Sequence, residues 1–304
     1  MRVVRYLAQG QTVPNVGVEL ADGIRPVAVA SVGELLGLPL AEIRALAESA
    51  SAGIPVAPGA VLLPPVDGRA EVWAAGVTYY RSREGRMAES ASAGIYDLVY
   101  DSERPELFFK CAAWRAVTNG EPIGIRADSA VSVPEPELAV VVSKQAEIVG
   151  YTVCNDVSSR SIEGDNPLYL PQAKVYAGSC ALGDGIRPAW EVPDPGSLDV
   201  ELTVERDGAV AWNGTASTGQ LRRSLAELVG YLFRAEQFPD GAVLSTGTGI
   251  VPELSFTLRE GDVVTVRVQD VGVLVNPVVS GLDHFGWLAG APAARRAAAS
   301  RRPG

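Results

Sequence analysis

The chain has 304 residues, 47% of them hydrophobic and 20% charged, which is typical of a compact protein with a sizeable core. Its net charge of −10 argues against binding to nucleic acid or an anionic membrane, because both need clustered basic residues. The three cysteines form no CxxC pair, the N-terminus lacks an apolar signal core, and no apolar run approaches the ~18 residues of a membrane helix. We therefore expect a reduced, cytoplasmic protein that binds neither nucleic acid nor membranes.

The N-terminal part of the chain predicts strands, then helices, then a linker. Short apolar runs alternate with turn signals over residues 1–30 and indicate small strands, the third of them at Val27–Ala30. Residues 31–49 are helical in pattern, and Pro39 predicts a short helix before it and a second helix starting near it. Residues 52–68 are rich in proline and glycine, which indicates a linker and a domain boundary.

Strand signals dominate from about residue 70 onward. Leu138–Val142 is continuously apolar, which predicts a strand in the middle of a sheet that is covered on both faces. Asp207-Gly208 predicts a hairpin turn between Val200–Val204 and Ala209–Trp212. The other predicted strands are Ile148–Cys154, Leu198–Val204, Ala242–Ser245 and Val263–Val268.

One helix stands out in this strand-rich part. Ser217 and Gln220 have the spacing of a capping box, and Leu221–Ala235 carries helical apolar spacing. Because few helices alternate with the strands, a doubly wound nucleotide-binding fold is disfavoured. The predicted class is α+β, mostly β. It comprises a small N-terminal α+β domain with its linker over residues 1–68, a large strand-rich domain over 69–290, and a tail over 291–304 that we expect to be disordered.

Three carboxylates are candidates for a metal site. Glu135 and Glu137 precede the strand at Leu138, and residues two apart in an extended chain point to the same side. The next strand is followed by Asp156, which joins the two glutamates if the strands pair, and the three would repel one another unless a cation neutralised them. With one histidine, His284, the chain cannot form a His-rich zinc site, so oxygen ligands favour magnesium, manganese or calcium. The alternative for an isolated ExE pair is a solvated strand end.

Five segments together match a known pattern, in the right order over about residues 70–280. They resemble the fumarylacetoacetate hydrolase superfamily, which implies a mixed β-structure (a β-roll) and a homodimer or homotetramer. The resemblance also implies a divalent ion, usually Mg²⁺ with Mn²⁺ or Ca²⁺ possible, on Glu135, Glu137 and Asp156. The segments are EPELAVVV (135–142), GYTVCNDVSSR (150–160), LPQAKVYAGSCALGDGI (170–186), STGTGIVP (245–252) and LREGDVVTVRVQDVGVLVNPV (258–278).

A missing histidine narrows the resemblance. Hydrolase members carry a histidine in a G-x-N-Y-x-x-H segment, part of a His–Glu pair that activates water, whereas residues 75–84 here contain none. Residues 75–90, 95–110 and 168–183 resemble instead the branch of dehydratases that act on 2-keto-3-deoxy sugar acids such as 2-dehydro-3-deoxy-D-arabinonate. The enzymes of this branch are lyases that work through a metal-stabilised enolate.

The same resemblance implies roles for Lys174 and Glu106, which would otherwise be interpreted as solvated surface residues. Lys174 would move a proton at the methylene group next to the keto group of the substrate. Like charge and desolvation beside a cation lower the pKa of a lysine, so its neutral form can act as a base. Glu106 would protonate the departing hydroxyl or hold the water that does so.

Substrate contacts are predicted at two places. Thr248 lies in a Gly-Thr-Gly loop, where small neighbours allow close approach to a ligand carboxylate; a plain turn is the alternative. Tyr79, Arg81 and Arg83 occupy the segment where hydrolases keep their histidine, so they would face the substrate.

Three further residues have open interpretations. Arg160 would pair with an acidic ligand or, as we favour, with a structural carboxylate. Lys110 would be structural or touch the substrate, and His284 would be structural.

Three alternative functions remain open at this point. A hydrolase of acylpyruvates or related 2-keto acids would use the same metal, but it needs a replacement for the missing histidine. A decarboxylase of oxaloacetate type needs the metal and little else. A non-catalytic binder of small acids would have no reason to keep the carboxylates together with Lys174.

Overall fold

The computed structural model describes residues 1–89 and 98–290, so the tail predicted to be disordered, 291–304, lies outside the described residues. The N-terminal part forms an antiparallel four-stranded sheet in the order β3-β2-β1-β4, with two helices beside it. Its elements are β1 (Arg2–Leu7), β2 (Asn15–Leu20), β3 (Gly23–Pro26), α1 (Val32–Leu36), α2 (Leu40–Ser51) and β4 (Val61–Leu63).

The N-terminal predictions are confirmed in part. The helical segment is interrupted between α1 and α2, and Pro39 is the N-cap of α2, as predicted. The third strand predicted at Val27–Ala30 is wrong: it is β3, which starts at Gly23 (φ +134) directly after the turn and ends at Pro26, which has no N–H to donate. The segment predicted as a linker contains β4, which pairs with β1, and the boundary at residue 68 stays a prediction.

A seven-stranded sheet forms the centre of the molecule. Its order is β12-β10-β9-β16-β5-β6 with β13 beside β10, and all neighbours are antiparallel except the parallel pair β16–β5. Every residue of β9 is buried, which confirms the predicted central strand. The strands are β5 (Glu71–Gly76), β6 (Glu106–Ala112), β9 (Pro136–Val142), β10 (Ile148–Asp156), β12 (Cys180–Leu182), β13 (Arg187–Pro188) and β16 (Ala242–Ser245).

A second large sheet has the order β15-β14-β17-β18-β7. Asp207 (φ 52) and Gly208 (φ 77) form the predicted turn between β14 and β15, with both residues in the left-handed region that a type I′ turn requires. A small antiparallel pair, β8–β11, stands apart from both sheets. The strands are β7 (Ile123–Ile125), β8 (Ser132–Val133), β11 (Ser158–Ser159), β14 (Asp199–Arg206), β15 (Ala209–Ser217), β17 (Val263–Val268) and β18 (Gly272–Ser280).

The two faces of β9 pack against different parts of the molecule, as the alternation of side chains along a strand requires. Leu138 and Val140 belong to the cluster that contains Leu202 and other residues of the second sheet. Ala139 and Val141 belong to the cluster formed with the N-terminal strands and helices. The central strand is therefore held rigidly from both sides, and its start is a stable place for polar groups.

The helix predicted after Ser217 begins later than expected. The capping box between Ser217 and Gln220 is present, but it closes a single 3-10 turn. Arg222 then donates its N–H to the carbonyl of Thr78, a tertiary contact that keeps the chain extended, and α6 starts only after Ser224. The remaining helices are α3 (Tyr80–Glu89), α4 (Arg160–Asp165), α5 (Leu170–Lys174) and α6 (Leu225–Leu232), with 3-10 segments at Ala113–Arg115, Pro167–Tyr169, Ala189–Glu191, Thr218–Gln220 and Leu282–Ala289.

Within the described residues, every helix falls short of the length and apolarity that crossing a bilayer requires.

Candidate active site

The three predicted carboxylates converge where β9 and β10 pair. The register places Cys154 opposite Glu137, and the N–H of Asp156 donates to the carbonyl of Glu135 at 2.9 Å. One carboxylate oxygen from each of Glu135, Glu137 and Asp156 lies within 4.8 Å of the others. The predicted cluster is therefore present, and its role as a ligand set stays a prediction.

Three neighbours that the sequence analysis did not single out hold Glu137 and Glu135 in place. Ser245, at the end of β16, donates its hydroxyl to Glu137 Oε2 at 2.5 Å, and the N–H of Gly247 donates to the same oxygen at 2.7 Å. Asn155 accepts the N–H of Glu135 at 3.1 Å through its side chain. Both polar side chains lie beside motif residues, but a single serine or asparagine at a strand end carries no distinctive signal.

Two buried lysines contact the carboxylates. Lys174, the last residue of α5, places Nζ 2.7 Å from Glu135 Oε2 and 3.1 Å from Asp156 Oδ2. Lys110 places Nζ 2.5 Å from Asp156 Oδ1, so this lysine, whose role the sequence left open, contacts the carboxylate cluster. Glu163 on α4, a second residue that sequence reasoning missed, lies 4.0 Å from Lys174 Nζ and is also buried.

Burial and neighbouring charges shift the pKa values of Glu137 and Asp156 in opposite directions. Burial, reinforced by the negative charges of Asp156 and Glu135, raises the pKa of Glu137 to about 8. Burial also acts to raise the pKa of Asp156, but the positive charges of Lys110 and Lys174 outweigh it and lower that pKa below its usual value. Three convergent carboxylate oxygens fit a hard dication such as Mg²⁺.

A cavity lies beside the carboxylates; the space among its lining atoms, together with the open solvent at its mouth, is about 450 Å³. Thr248 lines it, and its Oγ1 accepts the N–H of Ile250 at 3.1 Å; its contact with a ligand carboxylate stays a prediction. Arg160 also lines the cavity and donates to the carbonyl of Pro252 at 2.8 Å; its pairing with a structural carboxylate stays a prediction. Other lining residues are Ala75, Gly76, Val77, Ser82, Phe108 and Val251.

The other predicted substrate contacts lie away from this lining. Tyr79 is buried, with its ring close to Gly249. Arg81 is exposed and pairs with Glu84 at 3.4 Å, and Arg83 lies over the rings of Tyr80 and Tyr100. Successive residues of α3 are rotated by about 100°, so Ser82 faces the cavity while its two arginine neighbours do not. Their contact with a substrate stays a prediction.

Glu106 lies next to the cavity. It pairs with Gly76 across β5 and β6, and a Cβ added to Gly76 would lie 2.0 Å from Glu106 Oε2. The carboxylate therefore packs directly on a glycine that lines the cavity. His284 is 47% exposed, with Nε2 3.7 Å from Glu260, and it is not among the described residues that line the cavity.

Comparison with known proteins identifies the family. The model of the fumarylacetoacetate (FAA) hydrolase C-terminal domain matches residues 80–279. A probable 2-keto-3-deoxyxylonate dehydratase of Haloferax volcanii is 50% identical over 216 residues, 71% of this chain and 74% of that protein. The 2-dehydro-3-deoxy-D-arabinonate dehydratase of Saccharolobus solfataricus is 44% identical over 212 residues, 68% of this chain and 71% of that protein.

A solved structure shows the same architecture. 2-Keto-3-deoxy-D-arabinonate dehydratase complexed with magnesium and 2,5-dioxopentanoate matches with a TM-score of 0.78 and 34% identity, over 92% of this chain and 99% of that chain. The chain belongs to the fumarylacetoacetate hydrolase family. The fold class predicted from the sequence is thereby confirmed.

Binding of Mg²⁺ should displace a proton from Glu137. Its pKa in the folded, metal-free protein, about 8, lies above its ordinary value of 4.5, so the stability that this group contributes is lost as the pH rises between these values. A cation must remove the same proton, so we expect proton release on binding near pH 7 and tighter binding as the pH rises toward about 8. Calorimetric titrations in buffers of different ionisation enthalpy measure the protons released.

Glu137→Gln should remove both the proton release and the tight binding, because a neutral amide is a poor ligand for a hard dication. Glu201→Gln on β14 is the matched control, since the side chain of Glu201 is 54% exposed. Unchanged Mg²⁺ affinity in Glu137→Gln would contradict the ligand assignment.

Proposed function

We propose that the chain is a magnesium-dependent dehydratase, a carbon–oxygen lyase, of a 2-keto-3-deoxy sugar acid such as 2-dehydro-3-deoxy-D-arabinonate. The observation that carries the proposal is the contact of Lys174 Nζ with Glu135 and Asp156, since it puts a buried lysine beside the carboxylates that would hold the ion. The names of the two similar dehydratases, and of the solved dehydratase that holds magnesium and 2,5-dioxopentanoate, support the same reaction.

Glu135, Glu137 and Asp156 would hold the ion. When bound, a dication supplies positive charge that stabilises the negative charge developing on the keto oxygen of the substrate. The hydrogen bonds from Ser245 and Gly247 keep Glu137 in place for this role.

Lys174, an ammonium while it pairs with Glu135 and Asp156, would first release one proton and then, as a neutral amine, remove a proton from the methylene carbon next to the keto group. The side chain is buried, with Nζ 5.5 Å from the centre of the Phe108 ring, so water is largely excluded around it. Glu106 would give a proton to the hydroxyl that leaves the adjacent carbon. One C–H bond and one C–O bond break, one water departs, and the resulting enol tautomerises to the keto product.

The absence of a histidine at the cavity favours dehydration over hydrolysis. The one histidine of the chain, His284, is half exposed beside Glu260 and offers no His–Glu pair to activate water at the carboxylates.

We further propose that Thr248 contacts the substrate carboxylate. A homodimeric or homotetrameric assembly and a cytoplasmic location also remain part of this proposal.

A panel of 2-keto-3-deoxy acids and acylpyruvates, assayed with Mg²⁺, tests the proposed reaction. We expect loss of water from a 2-keto-3-deoxy pentonate or hexonate, observed by NMR of the products. Cleavage of an acylpyruvate in preference would indicate a hydrolase, and loss of carbon dioxide from oxaloacetate would indicate a decarboxylase. If Mg²⁺ binds but no 2-keto acid is changed, the protein is a non-catalytic binder.

Proton exchange separates the two catalytic roles. In heavy water, on a 2-keto acid that lacks the leaving hydroxyl, Glu106→Gln should still exchange the methylene protons and Lys174→Met should not. Loss of one acid–base group typically lowers the rate by about 10²–10⁴. Lys144→Met, which alters an exposed lysine, is the control. Exchange at the wild-type rate in Lys174→Met would show that another group is the base.

Gly76→Ala tests the position of Glu106. The added Cβ would lie 2.0 Å from Glu106 Oε2, so the carboxylate must move and turnover should fall while Mg²⁺ binding is retained. Gly230→Ala on α6 is the control, because a Cβ there meets nothing within 4 Å. Full turnover in Gly76→Ala would mean that the placement of Glu106 on this glycine is not needed.

A further inference from the structure

The main chain at Lys174 is held by two side chains from outside its own helix. Lys174 is the last residue of α5, which has only five residues. A helix of this length is not stable by itself, and its last carbonyls find no partner within it. The carbonyl of Lys174 instead accepts Lys110 Nζ at 2.5 Å and Ser179 Oγ at 2.9 Å. A carbonyl oxygen has two lone pairs, so these two donors satisfy it completely.

Ser179 is firmly placed for this contact. Its side chain is 1% exposed, and it lies in a tight turn just before β12. The N–H of Ser179 donates to the carbonyl of Tyr176 at 3.2 Å, and its Oγ accepts the N–H of Tyr176 at 3.3 Å. Since a serine hydroxyl has a single hydrogen, that hydrogen is used for the carbonyl of Lys174.

Lys110 connects the same carbonyl to the carboxylate cluster. Its side chain is completely buried on β6, and Nζ also lies 2.5 Å from Asp156 Oδ1 and 3.1 Å from the carbonyl of Val157. One ammonium group therefore joins the main chain at Lys174 to the end of β10. The distance between the start of the Lys174 side chain and Asp156 is fixed through this group.

Such an anchor matters because a lysine amine sits at the end of a flexible stem. Before the reaction, the contacts with Glu135 and Asp156 hold the amine of Lys174. When the amine turns toward the methylene carbon of a substrate, it gives up part of these contacts. Only the position of its main chain then keeps it within reach, and a displacement of about 1 Å can lower a rate by about 10².

We propose that Ser179 and Lys110 are positioning residues that fix the main chain at Lys174 and so keep its amine in reach of both the carboxylates and the substrate. The inference rests on the base role proposed above for Lys174. It adds Ser179, which touches none of the three carboxylates in any contact described for it, to the residues on which the reaction depends.

Ser179→Ala tests the inference in the full chain with Mg²⁺. The carbonyl of Lys174 keeps its bond from Lys110, so the variant should fold. We expect exchange of the methylene protons in heavy water, and kcat, to fall about tenfold, with KM and the Kd for Mg²⁺ within about twofold of the wild type. Ser143→Ala is the matched control: its buried hydroxyl accepts the N–H groups of Gln145 and Glu147 at the far end of β9, and exchange should be unchanged.

The comparison of exchange with Mg²⁺ binding separates positioning from damage to the fold, which would weaken both. Exchange at the wild-type rate in Ser179→Ala would overturn the inference, and so would a parallel loss of Mg²⁺ binding. If Ser179→Ala does not fold, Ser179→Cys keeps the size of the side chain with a weaker donor, and exchange at the wild-type rate there would overturn it equally. A wild type that binds Mg²⁺ but exchanges no methylene protons would overturn the base role of Lys174 itself, and the inference with it.

Discussion

Three carboxylates with oxygens within 4.8 Å of one another, two of them fully buried, create the constraint on which the site depends. Buried charges of one sign are unfavourable unless hydrogen bonds and opposite charges compensate them. β6 and α5 each supply a buried lysine, and the end of β16 supplies a hydroxyl and a backbone N–H. Burial, reinforced by the charges of Asp156 and Glu135, raises the pKa of Glu137 to about 8, and a dication at the cluster would offset these negative charges.

The surrounding fold makes this arrangement stable. β9 packs on one face against the second sheet and on the other against the N-terminal elements. Glu135 and Glu137 therefore lie at the start of a strand that is held from both sides. Its neighbours in the sheet are the strands that bring Asp156 and Ser245 to the same edge. The carboxylates thus lie at the start of a strand whose residues are all buried, next to the cavity that Thr248 and Phe108 line.

Much of the fold and of the carboxylate cluster could be predicted from local patterns in the sequence. Leu138–Val142 is continuously apolar and the Asp207-Gly208 turn has a specific backbone requirement, so both were correctly predicted. The carboxylate cluster was predictable because Glu135 and Glu137 are two apart and Asp156 ends the paired strand. For the strand and the turn the decisive information lies within a few residues, and for the cluster it lies in two strands that follow each other in the chain.

Other features of the site and of the fold depend on contacts between distant parts of the chain and could not be predicted. Lys110 is 46 positions from Asp156, and its apolar flanks do not reveal which carboxylate it meets. The helix predicted after Ser217 was delayed because the backbone of Arg222 bonds to Thr78. Arg81 and Arg83 were placed at the substrate by their segment, but the helical rotation of α3 brings Ser82 to the cavity lining instead.

The central claim is that Glu135, Glu137 and Asp156 hold one divalent ion beside Lys174. A crystal structure of the protein grown with Mn²⁺, with anomalous scattering data, tests it most directly. We expect a single anomalous peak within about 2.0–2.6 Å of one oxygen from each of the three carboxylates. A peak that lies elsewhere, or none at this cluster at saturating Mn²⁺, would contradict it.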